Sequence, residues 1–189
     1  LVIGPGSIGQ KHIIAARKIN FSLKVAVFRT RSSKKINPKL NNCLEFFSIK
    51  EAMIWAPDLI IISTPANMHL KNIQEIISTN KPILLEKPIG HTDDSLQDWL
   101  TINKRKSNIQ VGYQLRFDPC YSIMKDLISN NILGKIVFSQ FFCGSWLPDW
   151  RTKNYKQSVS ASNALGGGVL AELSHELDLC LSLLGPIDL

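Results

Sequence analysis

The order of apolar runs along the chain predicts an α/β fold, with a doubly wound parallel sheet first and an incomplete α+β domain after it. Three observations carry that reading. The runs Leu1-Val2-Ile3, Leu59-Ile60-Ile61-Ile62 and Pro82-Ile83-Leu84-Leu85 lack polar alternation, which marks strands covered on both faces. Segments of helical spacing separate these runs, as parallel crossovers require. Near residue 114 the pattern changes to capped helices, one alternating run and a long loop, which divides the chain into domains 1–114 and 115–189.

The first strand runs into Gly4-Pro5-Gly6-Ser7-Ile8-Gly9, a complete G-x-G-x-x-G, and a helix-like stretch follows with Ile8, Ile13, Ile14 and Ile19 as its apolar positions. Gly4 permits the tight turn, Gly6 lets backbone approach a pyrophosphate, and Gly9 lets the helix pack on the strand. The helix start at Ser7 and Ile8 offers N–H groups and a favourable dipole to phosphates. Strand, turn and helix in this order predict a Rossmann dinucleotide-binding domain; the alternative is a glycine-rich turn in another α/β domain.

The second strand, Leu23 to Phe28, should end beside the adenosine ribose, where an NAD-preferring domain carries Asp or Glu. This chain has Arg29-Thr30-Arg31-Ser32-Ser33-Lys34 instead. Cations and small hydroxyls suit a 2′-phosphate, so the cofactor reading is NADP or NAD, with NADP slightly favoured. A solvated basic loop is the plainer account of the same residues.

Ser48-Ile49-Lys50-Glu51 is a capping-box pattern that should open a short helix before Pro57. The run Leu59–Ile62 ends in Ser63-Thr64-Pro65-Ala66-Asn67-Met68-His69, a loop at the rim where open α/β sheets bind ligands. Asn67 and His69 either line the cofactor site or cap the helix that follows to about Ser78; the lining role is favoured. The next strand closes in Glu86-Lys87-Pro88. A lysine at such a strand end can be partly desolvated, which suits it to proton chemistry or to holding a reacting hydroxyl. A solvated strand-end lysine is the bland alternative.

Thr92 to about Arg105 reads as an amphipathic helix with Leu96, Trp99, Leu100 and Ile102 as candidate buried positions, and Ile109 to Tyr113 as the sixth strand. Asp118-Pro119 places an N-cap before a first-turn proline and opens a helix to about Asn130. Lys135 to Phe142 alternates as a strand of a different, half-exposed sheet would. A long loop from Cys143 to Leu165 carries Trp146, Asp149, Trp150, Arg151 and Tyr155, and loops of this length are usually functional or mobile. Gly166-Gly167-Gly168 introduces a helix to about Leu184, ended by Gly185-Pro186.

Composition is that of an ordinary globular chain: 44% hydrophobic and 20% charged over 189 residues, enough for one full domain and part of another. Cys43, Cys120, Cys143 and Cys180 are scattered without metal-ligand spacing and read as reduced thiols, so no metal is expected. The net charge of +7 sits in short clusters, Lys34-Lys35 and Lys104-Arg105-Lys106, without aromatic interleaving. Nucleic acid is therefore not the expected partner; an anionic cofactor accounts for some of the positive field. With no apolar run of membrane-spanning length and no signal-peptide pattern, a soluble cytoplasmic protein is expected. Starting inside a strand and stopping at Pro186-Ile187-Asp188-Leu189, the chain reads as a fragment of a longer protein.

Taken together, Gly4-x-Gly6-x-x-Gly9, Ser63-Thr64-Pro65, Glu86-Lys87-Pro88, Gly112-Tyr113-Gln114-Leu115-Arg116-Phe117 and Gly166-Gly167-Gly168 leading to His175-Glu176-Leu177-Asp178 resemble the Gfo/Idh/MocA family, the relatives of glucose–fructose oxidoreductase and inositol dehydrogenase. The ordered set spans nearly the whole chain. The resemblance implies a nicotinamide-dependent oxidoreductase whose second domain packs a mainly antiparallel sheet against helices, in a protein that forms a homo-oligomer. It implies that Lys87 contacts the reacting sugar hydroxyl and that His175 is the acid/base. Where many relatives carry an Asp four residues before this histidine, the chain has Ala171, so the third catalytic member is open between Glu172, on the same helical face at a spacing of three, and Asp178. Gln114 stands where many relatives have Asn.

The implied reaction is hydride transfer between a nicotinamide and a hydroxyl or carbonyl of a sugar or sugar derivative, nucleotide sugars included. Its cofactor contacts would be Gly4, Gly6, Ser7, Ile8, Gly9, Arg29, Thr30, Arg31, Ser63, Thr64, Pro65, Asn67, His69, Glu86 and Lys87. Its substrate contacts would be Lys87, Gln114, Arg116, Trp150, Arg151 and His175. Arg116 is equally well read as half of a structural ion pair. Two other classes stay open: a glycosidase that uses NAD in a transient redox cycle, and a non-catalytic sensor that keeps the cofactor fold. Intact Lys87 and His175 argue against the sensor.

Overall fold

A computed structural model describes residues 1–30, 42–90, 93–103, 108–150 and 154–187; Arg31 and Arg151, two of the expected site residues, lie outside them. The chain divides into two compact units, Leu1–Gly112 and Tyr113–Leu189.

The first unit is a six-stranded parallel sheet with helical crossovers. In chain order it comprises β1 (Val2–Ile3), α1 (Ser7–Ile19), β2 (Val25–Phe28), β3 (Cys43–Phe46), α2 (Ile49–Ile54), β4 (Ile60–Ile62), α3 (His69–Ile76), β5 (Ile83–Leu85), α4 (Asp93–Asn103) and β6 (Ile109–Val111). The strand order is β3-β2-β1-β4-β5-β6, so the connection reverses direction between β1 and β4. Alternate residues of one strand serve opposite faces: Ile60 and Ile62 join one buried cluster with Ile3, Ile73, Ile76 and Leu85, while Ile61 joins a second with Val2, Ile13 and Val27. Two covered faces explain why these strands read as unbroken apolar runs, each buried isoleucine contributing about 1.5–3 kcal/mol of transfer free energy.

Some elements differ from the sequence expectation. The buried stripe of α1 is narrow, holding Gly9 and Ile13, while Ile8, Ile14 and Ile19 are exposed. Strand β3 lies at the sheet edge with Leu44 and Glu45 exposed, so it lacks the apolar run that betrays its neighbours. Ser48 stands at the N-cap of α2 as expected, yet its side chain makes no capping bond. On α4, Ile102 is buried and Trp99 packs against the core, whereas Leu100 is exposed.

In the second unit α5 (Pro119–Ser129) starts as its sequence demands, with Asp118 accepting a hydrogen bond from the Cys120 N–H at 2.8 Å. Residues 135–142 are not in a strand. A strand needs a ladder partner, none is found for this segment among the described residues, and Val137, Phe138 and Phe142 are exposed. The long loop is wound into short 3-10 turns at Leu147–Trp150, Tyr155–Gln157, Val159–Ala161 and Asn163–Leu165. The single helix expected after the glycine cluster is two, α6 (Val169–Glu172) and α7 (His175–Leu184), interrupted at Leu173-Ser174, where the Ser174 hydroxyl donates to the Ala171 carbonyl. Side-chain back-bonding of this kind competes with the helical ladder. Among the described residues no helix is long and apolar enough to cross a membrane, and no three metal-ligating side chains gather.

Candidate active site

Register brings the strand ends of the first unit level. Ile3 pairs with Phe28 and with Ile62, Ile62 with Leu85, and Leu85 with Val111. One further rung continues the ladder: Gly4 N–H donates to the Phe28 carbonyl, Ser63 to Ile3, Glu86 to Ile62 and Gly112 to Leu85, at 2.7–3.1 Å. The glycine loop, the Ser63 loop and Glu86-Lys87-Pro88 therefore leave the sheet along one rim. That rim is the carboxyl edge of a parallel sheet, and the reversal between β1 and β4 is where such sheets open a crevice for ligands.

The glycine loop is built for close approach. Gly4 has φ +83°, and a Cβ there would stand 2.8 Å from Thr64 Cγ2. A Cβ on Gly9 would lie 2.5 Å from the Gly4 carbonyl oxygen and 2.7 Å from Ser63 Oγ, so only glycine lets α1 seat against this turn. At Gly6 a Cβ would meet nothing within 4 Å, leaving backbone open on the side from which a pyrophosphate would come. Gly6 is also the N-cap of α1 and brings no side chain to cap it, which leaves the helix start, with Ser7 and Ile8 exposed, to an anion. These features fit a dinucleotide.

Ser63 belongs to the scaffold of the loop: its hydroxyl donates to the Gly4 carbonyl at 2.8 Å. Thr64 Oγ1 donates to Asn72 Oδ1 at 2.9 Å, on the buried face of α3. Pro65 is the N-cap of the 3-10 turn Ala66–Met68, which carries the exposed Asn67. His69 is 1% exposed; Nε2 faces the Thr64 carbonyl and Nδ1 the Pro88 carbonyl, both at 2.9 Å. It thus sits between two loops from beneath, with one N–H to share between two carbonyls when neutral, and offers no open surface to a ligand. Burial pushes its pKa below the ordinary 6.5, opposed by the carbonyls of Thr64, Pro88 and Ile89 and by the Glu86 carboxylate.

Glu86 Oε1 lies 2.6 Å from His12 Nε2, joining the end of β5 to α1. Lys87 follows, half-buried. At the end of β2, Arg29 meets Glu45 through Nε at 2.8 Å and Nη2 at 2.6 Å, with its guanidinium 5.2 Å from the Phe47 ring centroid. Two of its donors are thereby committed to a carboxylate on β3. Thr30 beside it is exposed.

In the second unit, the segment from Tyr113 to Tyr121 packs along α7 in three steps. The Tyr113 ring meets the His175 ring edge-on with centroids 5.7 Å apart. Arg116 then grips Asp178 with two bonds of 2.8 and 2.6 Å, and the Tyr121 hydroxyl pairs with Ser182. Residues 175, 178 and 182 share one helical face, so the three contacts form a register between the two segments. Asp178 is 8% exposed, and its two bonds hold the Arg116 guanidinium above its ordinary pKa. Both groups are engaged with each other, as the ion-pair reading expects. Glu172 sits on α6, across the break from His175, so helical spacing does not relate the two. Gln114 is exposed, and half-buried Trp150 donates from Nε1 to Ser145 Oγ.

The sequence reading does not single out His12, Glu45, Asn72, Tyr121 or Ser182 among these partners. His12 carried a signal, since it follows Gly9 by three residues on the helix that opens from the glycine loop. Glu45 had none, because its partner lies across a strand pair.

Residues 1–113 match the family profile GFO_IDH_MocA, described as an oxidoreductase family with an NAD-binding Rossmann fold. The chain belongs to this family. Among its relatives, the rhizopine catabolism protein MocA of Rhizobium meliloti is 27% identical over 181 residues, covering 94% of this chain and 54% of MocA. Inositol 2-dehydrogenase of Mycolicibacterium smegmatis is 31% identical over 144 residues, or 71% of this chain and 41% of that enzyme. The chain thus spans about half the length of the curated relatives it matches. Among solved structures, the WlbA dehydrogenase of Bordetella pertussis, in complex with NADH and UDP-GlcNAcA, aligns with TM-score 0.78 at 18% identity, over 99% of this chain and 57% of WlbA. A putative myo-inositol dehydrogenase of Sinorhizobium meliloti aligns with TM-score 0.73 at 22% identity, over 98% and 55%. At these identities the two structures speak for the fold.

Proposed function

We propose that the whole protein is an NAD(P)-dependent oxidoreductase acting on a ring hydroxyl or carbonyl of a sugar, a sugar derivative or a related polyol. The observation that supports it most is the level rim, where an anion-ready glycine loop and the Glu86-Lys87-Pro88 end of β5 leave one sheet edge in a chain of this family. The named relatives extend the reading toward inositol-like and nucleotide-sugar substrates.

When bound, the nicotinamide accepts or supplies the hydride. In this reading the backbone at Gly4, Gly6 and Gly9 and the start of α1 hold the pyrophosphate, with the Ser63-Thr64-Pro65 loop alongside. Lys87 donates a hydrogen bond to the reacting oxygen and stabilises charge as the proton leaves. His175 takes that proton in oxidation and returns it in reduction. Arg116 and Asp178 hold the α7 register that carries His175, which makes Asp178 a positioning group, and Glu172 is the remaining candidate for a third proton-handling residue.

For the cofactor we infer NAD or NADP, with any NADP preference resting on Thr30 and Arg31 more than on Arg29, whose Nε and Nη2 are taken by Glu45. Comparing dissociation constants of NADPH and NADH decides the preference; tighter NADH would remove it. We also infer that the whole protein is a homo-oligomer, which sedimentation would check. The central test is turnover of the whole protein on a panel of sugars, inositols and nucleotide sugars, followed by nicotinamide absorbance. Lys87→Ala and His175→Ala should each lower kcat by about 10²–10⁴-fold, with Lys87→Ala leaving the NAD(P)H dissociation constant within about threefold. Wild-type kcat in both variants would reject the mechanism.

A further inference from the structure

Lys87 is flanked by two residues that are each held by a histidine from the nucleotide-binding half of the rim. On one side His12, three residues after Gly9 on α1, meets the Glu86 carboxylate at 2.6 Å, with the two side chains 24% and 17% exposed. On the other side the His69 ring lies between the Pro88 and Thr64 carbonyls, 2.9 Å from each, and donates to one of them when neutral and to both when protonated. Thr64 is anchored in turn through Asn72, and Ser63 through the Gly4 carbonyl. The Glu86-Lys87-Pro88 turn is therefore held from two sides, by the His12–Glu86 contact to the helix that begins at the glycine loop and by the His69 ring lodged between the turn and the loop after β4.

An apolar side chain would fill the buried position of His69 at less desolvation cost, since an imidazole must bury two polar nitrogens. What the imidazole adds is direction. Its ring sits between carbonyls of two different loops and directs an N–H at one of them, a fixed polar contact that leucine cannot make. The His12–Glu86 pair adds a second fixed point at a different residue of the turn. Two such points on either side of one residue restrict where that residue's backbone can stand, and with it the origin of the lysine side chain.

We propose that His12 and His69 are positioning residues, which set the place of the Lys87 amine relative to the dinucleotide-binding loops. The proposal rests on the reading of Lys87 as the group that meets the reacting hydroxyl. Misplacement of a reacting group by about 1 Å costs on the order of 10²-fold in rate, so a loosened turn should be visible in kcat before it is visible in folding.

The test uses the intact protein with His12→Gln, His69→Gln, His69→Leu and the double His12→Gln/His69→Gln variant. Three quantities are read: the pH profile of Lys87 labelling by acetic anhydride, located by mass spectrometry; the NADH dissociation constant by fluorescence; and kcat on any substrate found in the panel. The expected result is an altered Lys87 labelling profile in His69→Leu and in the double variant, with kcat lowered on the order of 10- to 100-fold. NADH binding should stay within about threefold, and His69→Gln, which keeps amide donors, should recover part of the loss. An unchanged labelling profile with only a lower melting temperature would overturn the proposal in favour of a structural role. Loss of NADH binding in step with kcat would overturn it too, assigning the histidines to the cofactor loops. Because labelling and NADH binding need no substrate, the outcome stands even if the panel yields no turnover and the functional reading itself fails.

Discussion

The two units use different strategies to hold their candidate site residues. In the first, a sheet with both faces buried sets the rim, and the site residues follow from register: Gly4, Ser63, Glu86 and Gly112 are level because Ile3, Ile62, Leu85 and Val111 are. In the second, no strand is found among the described residues, and His175 is placed by side-chain contacts along one helix. The backbone level of a rim set by strand ladders fails when the core fails. A register set by three side-chain contacts fails one contact at a time.

The largest contrast should come from paired truncations. Ile62→Ala removes a fully buried side chain from the central core and should cost about 2–5 kcal/mol, read as a lower urea midpoint with loss of NADH binding. Phe138→Ala, at a residue 79% exposed, should stay within about 0.5 kcal/mol. Comparable losses would mean that Phe138 is covered in solution, and the contrast would have to be redrawn.

Next in size is Gly9→Ala. The added methyl meets backbone at 2.5 Å, so α1 must shift away from the Gly4 turn. Such overpacking costs about 1–3 kcal/mol, and the dissociation constant for NADH should rise by an order of magnitude or more. Wild-type binding with wild-type stability would show that the close approach at this glycine is not required.

Asp178→Asn probes the second strategy. Charged hydrogen bonds are worth about 1.5–3 kcal/mol, reduced here to about 1–2 because the Arg116 side chain is 44% exposed. Stability of the second unit should fall modestly, while kcat falls more than the NADH affinity. If kcat is untouched, the Arg116–Asp178 pair does not position His175.

The smallest effect concerns pH. Burial lowers the folded pKa of His69 below 6.5, so the unfolded chain takes up this proton first as pH falls. The stability contributed is complete above about 6.5 and is lost as pH falls toward the folded value. Glu86, with His12 beyond it, is the charged neighbour that limits the loss. Urea midpoints across this range should slope downward toward acid, and His69→Gln should flatten the slope.

Legibility in the sequence followed the same division. The parallel sheet was readable because burial on both faces writes continuous apolar runs at Leu59–Ile62 and Pro82–Leu85. Edge strand β3 was not, since one strand neighbour and exposed Leu44 and Glu45 leave no run to see. Asp118-Pro119 announced α5 because capping is a local interaction. The interruption at Leu173-Ser174 was hidden, as it depends on a hydroxyl choosing a carbonyl within its own turn, and it changes what Glu172 can do. Within the site, the glycine loop was legible from steric demands of single residues. The ties of His12 to Glu86 and of His69 to Pro88 join positions 74 and 19 residues apart, and no periodicity reports them.

The strand order carries a consequence for synthesis on the ribosome. Strand β1 pairs with β2 on one side and β4 on the other, and its partners on the second side, Ile61 and Ile62, are made some sixty residues later. Until they emerge, the middle of the finished sheet is an open edge with unsatisfied backbone groups. The nascent chain therefore passes through a stage in which its most buried strand is also its most adhesive surface, and the interval over which it needs shielding is set by the spacing between Val2 and Ile61.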